Sequence, residues 1–319
     1  MVSDAKLIWL DVTSILHWNR PVTGVLRVEM ECARHFLLSN FGEIRFCQYN
    51  QLKREYVRVS AEELSSCLQR LDASQSPGVH IKVRAFFLKH LKTFGKSLPH
   101  RCRSQLIRLK RLVDSIHRPL SEGIRKMMPL GLNRPGLFKR GDVYISLGCD
   151  WADKDMGVLL QLKKEHCLNV VLCCHDIIPV IRPDLTLAQI TKNFEPYLRK
   201  MIAVADHVLC VSECTRKDLL EYIGTNNLQM PELSLIRHGA TITVQHASAG
   251  VDCIIEEPYI LCVSTFEPRK NHSILYGSYL NILSMRGEGI PVLLLVGMAG
   301  WGVEDLLRKI RSDERARNY

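Results

Sequence analysis

At 319 residues, with 46% hydrophobic and 24% charged side chains, the chain can bury two compact cores, which excludes a disordered or fibrous class. Its formal charge of +10 is concentrated: residues 82–140 hold 16 Lys or Arg against Asp114 and Glu122, so that segment alone is +14 and the remainder −4. Such a block points to an anionic partner (a membrane surface, a lipid diphosphate or nucleic acid) or to a solvated helical face. Its few, bunched aromatics, Phe86, Phe87, Phe94 and Phe138, make nucleic acid the weaker partner.

The opening residues carry Asp4 and Asp11, one Lys and no basic start ahead of an apolar run, so they do not read as a secretory signal and a cytosolic start is expected. Short apolar runs then recur at residues 7–12, 143–147, 170–174, 208–211, 233–236, 259–263 and 292–296, the pattern of buried parallel strands. Between them lie helical periods. One covers residues 25–38, with Val25, Val28, Ala33, Phe36 and Leu37 on one face; another covers 215–223 and closes at Gly224. Alternating strands and helices predict a doubly wound α/β architecture. Residues 89–128 are basic and helical in period, and read as an inserted element.

Strand patterning lapses over residues 241–257, which predicts a first domain over 1–245, with the basic helical insertion near 82–140, and a second over 246–319. From Tyr259 onward the chain is well short of the roughly 100–150 residues usual for a domain, so the second is expected to be cut short. The longest uncharged stretch, residues 289–303, is interrupted by glycines and falls below the roughly 20 residues of a spanning helix. None of the 12 cysteines is spaced C-x-x-C, and Cys173, Cys174, Cys210 and Cys262 lie in strand-like runs, so buried thiols are expected rather than a metal or disulfide.

The sharpest local signal is Ser264-Thr265-Phe266-Glu267-Pro268-Arg269-Lys270-Asn271-His272, between the strand at 259–263 and a helical pattern through Leu283. Strand, loop and helix start outline a phosphate site, where Arg269 and Lys270 add charge suited to a diphosphate; an exposed basic pair before a helix capped by Asn271 is the plain alternative. His175 and Asp176 follow the strand at 170–174, the strand end at which open α/β sheets bind ligands, though a capping Asp beside a structural His also fits. Gly24 and Arg27 start the first helix and suit either a ligand approach or a tight turn. Ser212 reads as a helix cap, while His238 and Gly239 end a strand and either contact a ligand or form a turn.

Residues 264–272, with Leu295-Val296-Gly297-Met298-Ala299-Gly300-Trp301 downstream, resemble the donor-domain opening of glycosyltransferase family 4, in its bacterial mannosyltransferase-like branch. The resemblance extends to Asp11-Val12-Thr13, to Thr23-Gly24-Val25-Leu26-Arg27-Val28-Glu29, to His175-Asp176-Ile177-Ile178-Pro179 and to Val211-Ser212-Glu213. It implies a GT-B fold of two Rossmann-like domains, the second incomplete through C-terminal truncation. It also implies a retaining hexosyltransferase that needs no metal and no cofactor beyond a nucleotide-sugar co-substrate such as GDP-mannose.

On this resemblance His175 and Asp176 are catalytic, the imidazole steadying charge at the anomeric carbon with Asp176 orienting it. Arg269, Lys270 and Thr265 hold the donor diphosphate and Gly297 lies on the nucleotide side. Gly24, Arg27, Ser212, His238 and Gly239 line the acceptor side or cleft. The acceptor is a growing glycan or polyprenyl-diphosphate-linked chain in lipopolysaccharide or exopolysaccharide synthesis, at the inner face of the cell membrane, which the basic segment would touch. Two departures stand out: Ser264 and Thr265 occupy the place of a Gly-Arg pair in many relatives, and the family's donor-binding glutamate pair has no counterpart after Trp301. The alternatives are a non-catalytic remnant or partner subunit binding anionic lipid or glycan and, third, an epimerase or phosphorylase of similar architecture.

Overall fold

The computed structural model describes residues 6–19, 22, 24–39, 43–75, 136–239, 257–286 and 289–315. Most of the basic segment 82–140, through residue 135, lies outside the described residues. The chain divides into two compact units, Met1–Asp176 with Tyr197–His238, and Ile177–Pro196 with Gly239–Tyr319.

The first unit is built on a seven-stranded sheet with strand order β3-β2-β1-β4-β5-β6-β7. Its strands are β1 (Ile8–Asp11), β2 (Ile44–Asn50), β3 (Glu55–Val59), β4 (Val143–Ser146), β5 (Asn169–Cys174), β6 (His207–Cys210) and β7 (Glu232–Leu235). All neighbours are parallel except β2 and β3. Such a sheet, its central strands covered on both faces, is a mixed α/β, Rossmann-like fold, as the alternating pattern predicts. The hairpin of β2 and β3 has no counterpart among the apolar runs. Its strands mix Arg45, Gln48, Glu55 and Arg58 with apolar residues, and its turn places Arg54 at φ 53°. Polar and apolar residues interleaved along both strands leave only a weak hydrophobic signature.

The helices form where the sequence supplies an apolar face and a cap. α1 (Thr13–His17), α2 (Gly24–Leu38) and α3 (Ala61–Gln75) cover one side of the sheet around Leu10, Leu26, Met30, Ala33, Leu64 and Leu68. On the alternate positions of β1 and β4, Trp9 and Tyr144 meet Tyr56 and Phe138 edge-on, with ring centroids 5.5–6.1 Å apart. Phe138, part of the basic segment by sequence, is thus core. After β4 come α4 (Asp150–Asp153) and α5 (Met156–His166), the latter capped by Asp155, whose carboxylate accepts from the Gly157 N–H. In chain order α6 (Ile178–Ile181) and the first part of α7 (Ala188–Val204) belong to the second unit, and the rest of α7 and α8 (Glu213–Thr225) to the first, α8 being capped by the Ser212 hydroxyl on the Thr215 N–H at 3.1 Å. The described cysteines are free; Cys47, Cys67, Cys149, Cys173, Cys174 and Cys210 are buried, and burial pushes the Cys173 thiol up to about 12.

In the second unit, β8 (Tyr259–Val263) pairs in parallel with β9 (Val292–Val296) across α9 (His272–Arg286), and α10 (Glu304–Ser312) follows. The loops after the two strands press together. A Cβ at Gly297 would lie 1.9 Å from the Ser264 carbonyl oxygen, and one at Gly300 2.5 Å from that of Phe266, so both positions need glycine.

The strand order reverses between β1 and β4, and a buried ionic network closes that point. Lys154 Nζ lies 2.8 Å from Asp11 at the end of β1, 2.7 Å from Asp150 and 2.7 Å from the Ser146 hydroxyl at the end of β4. The Tyr144 hydroxyl donates to the other Asp11 oxygen at 2.7 Å, and the Thr13 N–H to the first at 2.8 Å. Burial by itself would lower the Lys154 pKa, but Asp11 and Asp150 outweigh it and hold the ammonium well above the ordinary lysine value. Lys154→Met strands these carboxylates, and the expected loss is about 3–5 kcal/mol in urea unfolding, with a wild-type midpoint contradicting the network's role.

Candidate functional site

The carboxyl ends of β1, β4 and β5 are where an open α/β sheet binds its ligand, at the switch in strand order. His175 stands there, immediately after β5 and half-buried. Its Nε2–H donates to the Leu147 carbonyl at 2.9 Å, which makes Nδ1 the acceptor of the neutral ring. Burial holds the His175 pKa below the ordinary value, against the opposing pull of that carbonyl and of Asp150, so the imidazole is neutral at physiological pH. The Thr215 hydroxyl donates to the His175 backbone carbonyl at 3.2 Å, tying the residue to the start of α8. The orienting group on Nε2 is therefore a backbone carbonyl after β4, whereas sequence reading assigns orientation to Asp176. Asp176 itself is exposed.

Other residues gather beside this imidazole. His238, past the end of β7, stacks on it with centroids 6.5 Å apart and planes 23° apart. Trp151 on α4 meets it edge-on at 6.5 Å and meets Tyr197 at 6.3 Å. Gly239 follows His238 and is exposed, as are Gly24 and Arg27 at the start of α2. A Cβ at Gly24 would meet no atom within 4 Å. Ser212 acts as the α8 cap, and its side chain is committed to Thr215.

Glu29, quoted in the sequence only as part of a motif, is buried on α2 with Oε2 lacking a hydrogen-bond partner among the described residues. Its other oxygen accepts weakly from the Ile15 N–H at 3.4 Å. Gly148 makes room for it, since a Cβ there would lie 2.0 Å from Glu29 Oε2 and 2.3 Å from the Ser14 hydroxyl. Burial raises the Glu29 pKa to about 8, with Lys154 opposing and Asp11 and Asp150 reinforcing the shift, so the carboxyl is largely protonated at neutral pH.

In the second unit, the loop after β8 carries Thr265, half-buried, and the short 3-10 turn Pro268–Lys270. Arg269 Nε donates to Glu267 at 2.7 Å, so that guanidinium is partly neutralised within its own loop; Lys270 is exposed. The turn uses the Lys270 and Asn271 N–H groups internally, bonding Glu267 and Pro268 carbonyls at 3.0 Å, and Asn271 sits at φ 54° just before α9. The Asn271 side chain accepts from the Ser273 hydroxyl at 3.4 Å rather than from a helix-start N–H. His272 was not singled out by sequence. It is buried, stacks on Phe266 at 4.3 Å and shares a hydrogen bond with the Ser264 hydroxyl at 3.1 Å, so it braces the loop from beneath. Gly297 backs directly onto Ser264.

Among the described residues no group of His, Cys, Asp and Glu is placed to hold a metal, and no helix is long and apolar enough to cross a membrane. No family model matches the chain, and no solved structure matches it. The chain is similar to the serotype-specific mannosyltransferase WbdA of Escherichia coli: in two sequences of that protein 26% of 196 aligned residues are identical, and in a third 26% of 200. Each match covers 57% of this chain and 23–24% of the relative, so the chain spans about a quarter of the length of these curated relatives.

Glu29 gives the site a pH signature. A carboxyl whose pKa rises on folding binds more protons folded than unfolded, so its contribution is complete below the unfolded value near 4.5 and is lost as pH rises toward 8. Wild-type stability is expected to fall by roughly 1.4 kcal/mol per pH unit across that window from this group, and Glu29→Gln to remove the slope. Urea midpoints measured from pH 5 to 9 check this; parallel profiles for the two proteins would refute it.

Proposed function

We propose that this chain is part of a retaining glycosyltransferase of GT-B type, which moves a mannose-like hexose from a nucleotide sugar such as GDP-mannose to a growing glycan or polyprenyl-diphosphate-linked acceptor in surface polysaccharide synthesis. The observation that carries the reading is a neutral imidazole, His175, locked by the Leu147 carbonyl at the carboxyl edge of a Rossmann-like sheet beside its switch point. The similarity to a mannosyltransferase supports the same reading and suggests the sugar.

In this proposal the first unit presents the acceptor and His175. A neutral ring whose Nε2–H is already committed accepts a sugar hydroxyl at Nδ1 without bringing a competing positive charge to an oxocarbenium-like centre. The second unit supplies the diphosphate loop, in which Lys270 is the exposed cation while Arg269 must exchange Glu267 for phosphate oxygens. Catalysis is then positional and electrostatic, with no metal step. Glycosyltransferase family 4 and a peripheral position at the cytoplasmic membrane face belong to the same proposal, the basic segment 82–140 serving as the membrane contact.

Purified chain, GDP-mannose and a polyprenyl-diphosphate-linked glycan provide the test. His175→Ala is expected to lower kcat by about 10²-fold or more, and Lys270→Ala to weaken GDP binding about tenfold in calorimetry. Normal GDP-mannose binding without turnover in the wild type would instead favour the non-catalytic partner reading, and unchanged GDP affinity in Lys270→Ala would remove that residue from the donor site. For the basic segment, flotation with anionic phospholipid vesicles at low salt, reversed at high salt, is expected; absence of binding would leave it as solvated surface.

A further inference from the structure

We propose that Trp151 is a saccharide-stacking subsite of the first unit, with exposed His238 as its hydrogen-bonding rim beyond His175, and that it receives a pyranose ring of the acceptor glycan. The acceptor assignment rests on the transferase reading above; the saccharide site itself does not.

Trp151 remains 36% exposed although it sits at the carboxyl edge of the sheet on a helix of one turn. A lone exposed aromatic on a mobile loop would carry little meaning. This one is fixed: α4 begins at Asp150, whose carboxylate is gripped by Lys154 and the Ser146 hydroxyl at 2.7 and 2.6 Å, and Lys154 ends the same turn by donating its N–H to the Asp150 carbonyl at 3.1 Å. The buried ion network thus holds the indole in place before any ligand arrives, so little ordering cost remains for binding.

The surroundings are mixed in the way a sugar is mixed. A pyranose presents axial C–H bonds on one face and hydroxyls around its rim. The C–H groups carry partial positive charge and suit the negative face of an indole, while the hydroxyls need donors and acceptors. His175 lies 6.5 Å from the indole, and exposed His238, stacked beyond it at 6.5 Å, offers a ring nitrogen to those hydroxyls. Tyr197 meets the indole edge-on at 6.3 Å. A nucleobase would also stack on an indole. The helix bearing Trp151, however, carries the half-buried carboxylate Asp153, which repels the phosphates a nucleotide would bring.

Isothermal titration of the full chain with a linear α-mannotriose, and separately with GDP, tests the assignment. Wild type is expected to bind the mannotriose, Trp151→Ala to bind it at least about tenfold more weakly, and Trp151→Phe, which keeps an aromatic face, to stay within about threefold. Urea midpoints for both variants show whether the fold is intact, and the Phe variant keeps the comparison valid if the Ala variant is unstable. No mannotriose binding by the wild type, equal binding by wild type and a folded Trp151→Ala, or a loss confined to GDP would each overturn the proposal. Loss of mannotriose binding in Trp151→Ala alongside a wild type that never consumes GDP-mannose would keep the saccharide site and reject the transferase reading.

Discussion

A single buried ammonium organises the working end of the first unit. Lys154 lies between Asp11 and Asp150, reaching both at under 3 Å, and each carboxylate belongs to a different segment that the sheet must bring together. A buried ion pair adds little net stability over an apolar substitute of the same shape, yet losing one partner is costly because a charge remains without water or counter-charge. The consequence is specificity of arrangement. The ends of β1 and β4 and the helix that follows cannot shift relative to one another without breaking the trio, and this is the place where the strand order reverses.

From that anchor the site geometry follows by short steps. Ser146 holds Asp150, and the intervening loop leaves the Leu147 carbonyl at the height where the next strand delivers His175. Gly148 lets the loop pass against Glu29 and Ser14, where any side chain would collide. The Cys149 N–H donates to the Ser14 hydroxyl at 2.8 Å, tying the loop back to α1. Asp150 then starts the turn that carries Trp151. Glu29, sealed beneath the same loop, stays neutral chiefly because it is buried, and a third carboxylate beside Asp11 and Asp150 would exceed what Lys154 can balance.

The second unit solves a different problem, bringing two loops into backbone contact. Gly297 and Gly300 permit it, and the Gly300 N–H bonds the Phe266 carbonyl at 2.9 Å, continuing the sheet pairing past the strand ends. His272 fills the space below by stacking on Phe266. The result is a stiff loop that offers Lys270 outward while Arg269 is engaged by Glu267, so the adjacent cations, indistinguishable by charge, differ in what they must give up to meet a phosphate.

Much of the architecture was legible in the residues. Runs such as 170–174 became strands, here β5, because a strand covered on both faces must be apolar at nearly every position, and Ser212 was readable as a cap because its hydroxyl acts three residues away. The hairpin at 44–59 was not legible, since Arg45, Gln48, Glu55 and Arg58 interrupt its apolar residues and no period survives. His175 could be picked out from its place after a strand, a local property. That its ring is held by a carbonyl 28 residues earlier, that Asp11 and Lys154 meet, and that Trp151 stands beside His175 are long-range facts. Sequence determines local propensity and pattern over a few residues, whereas contacts between distant segments depend on strand order and packing, which only the folded chain decides.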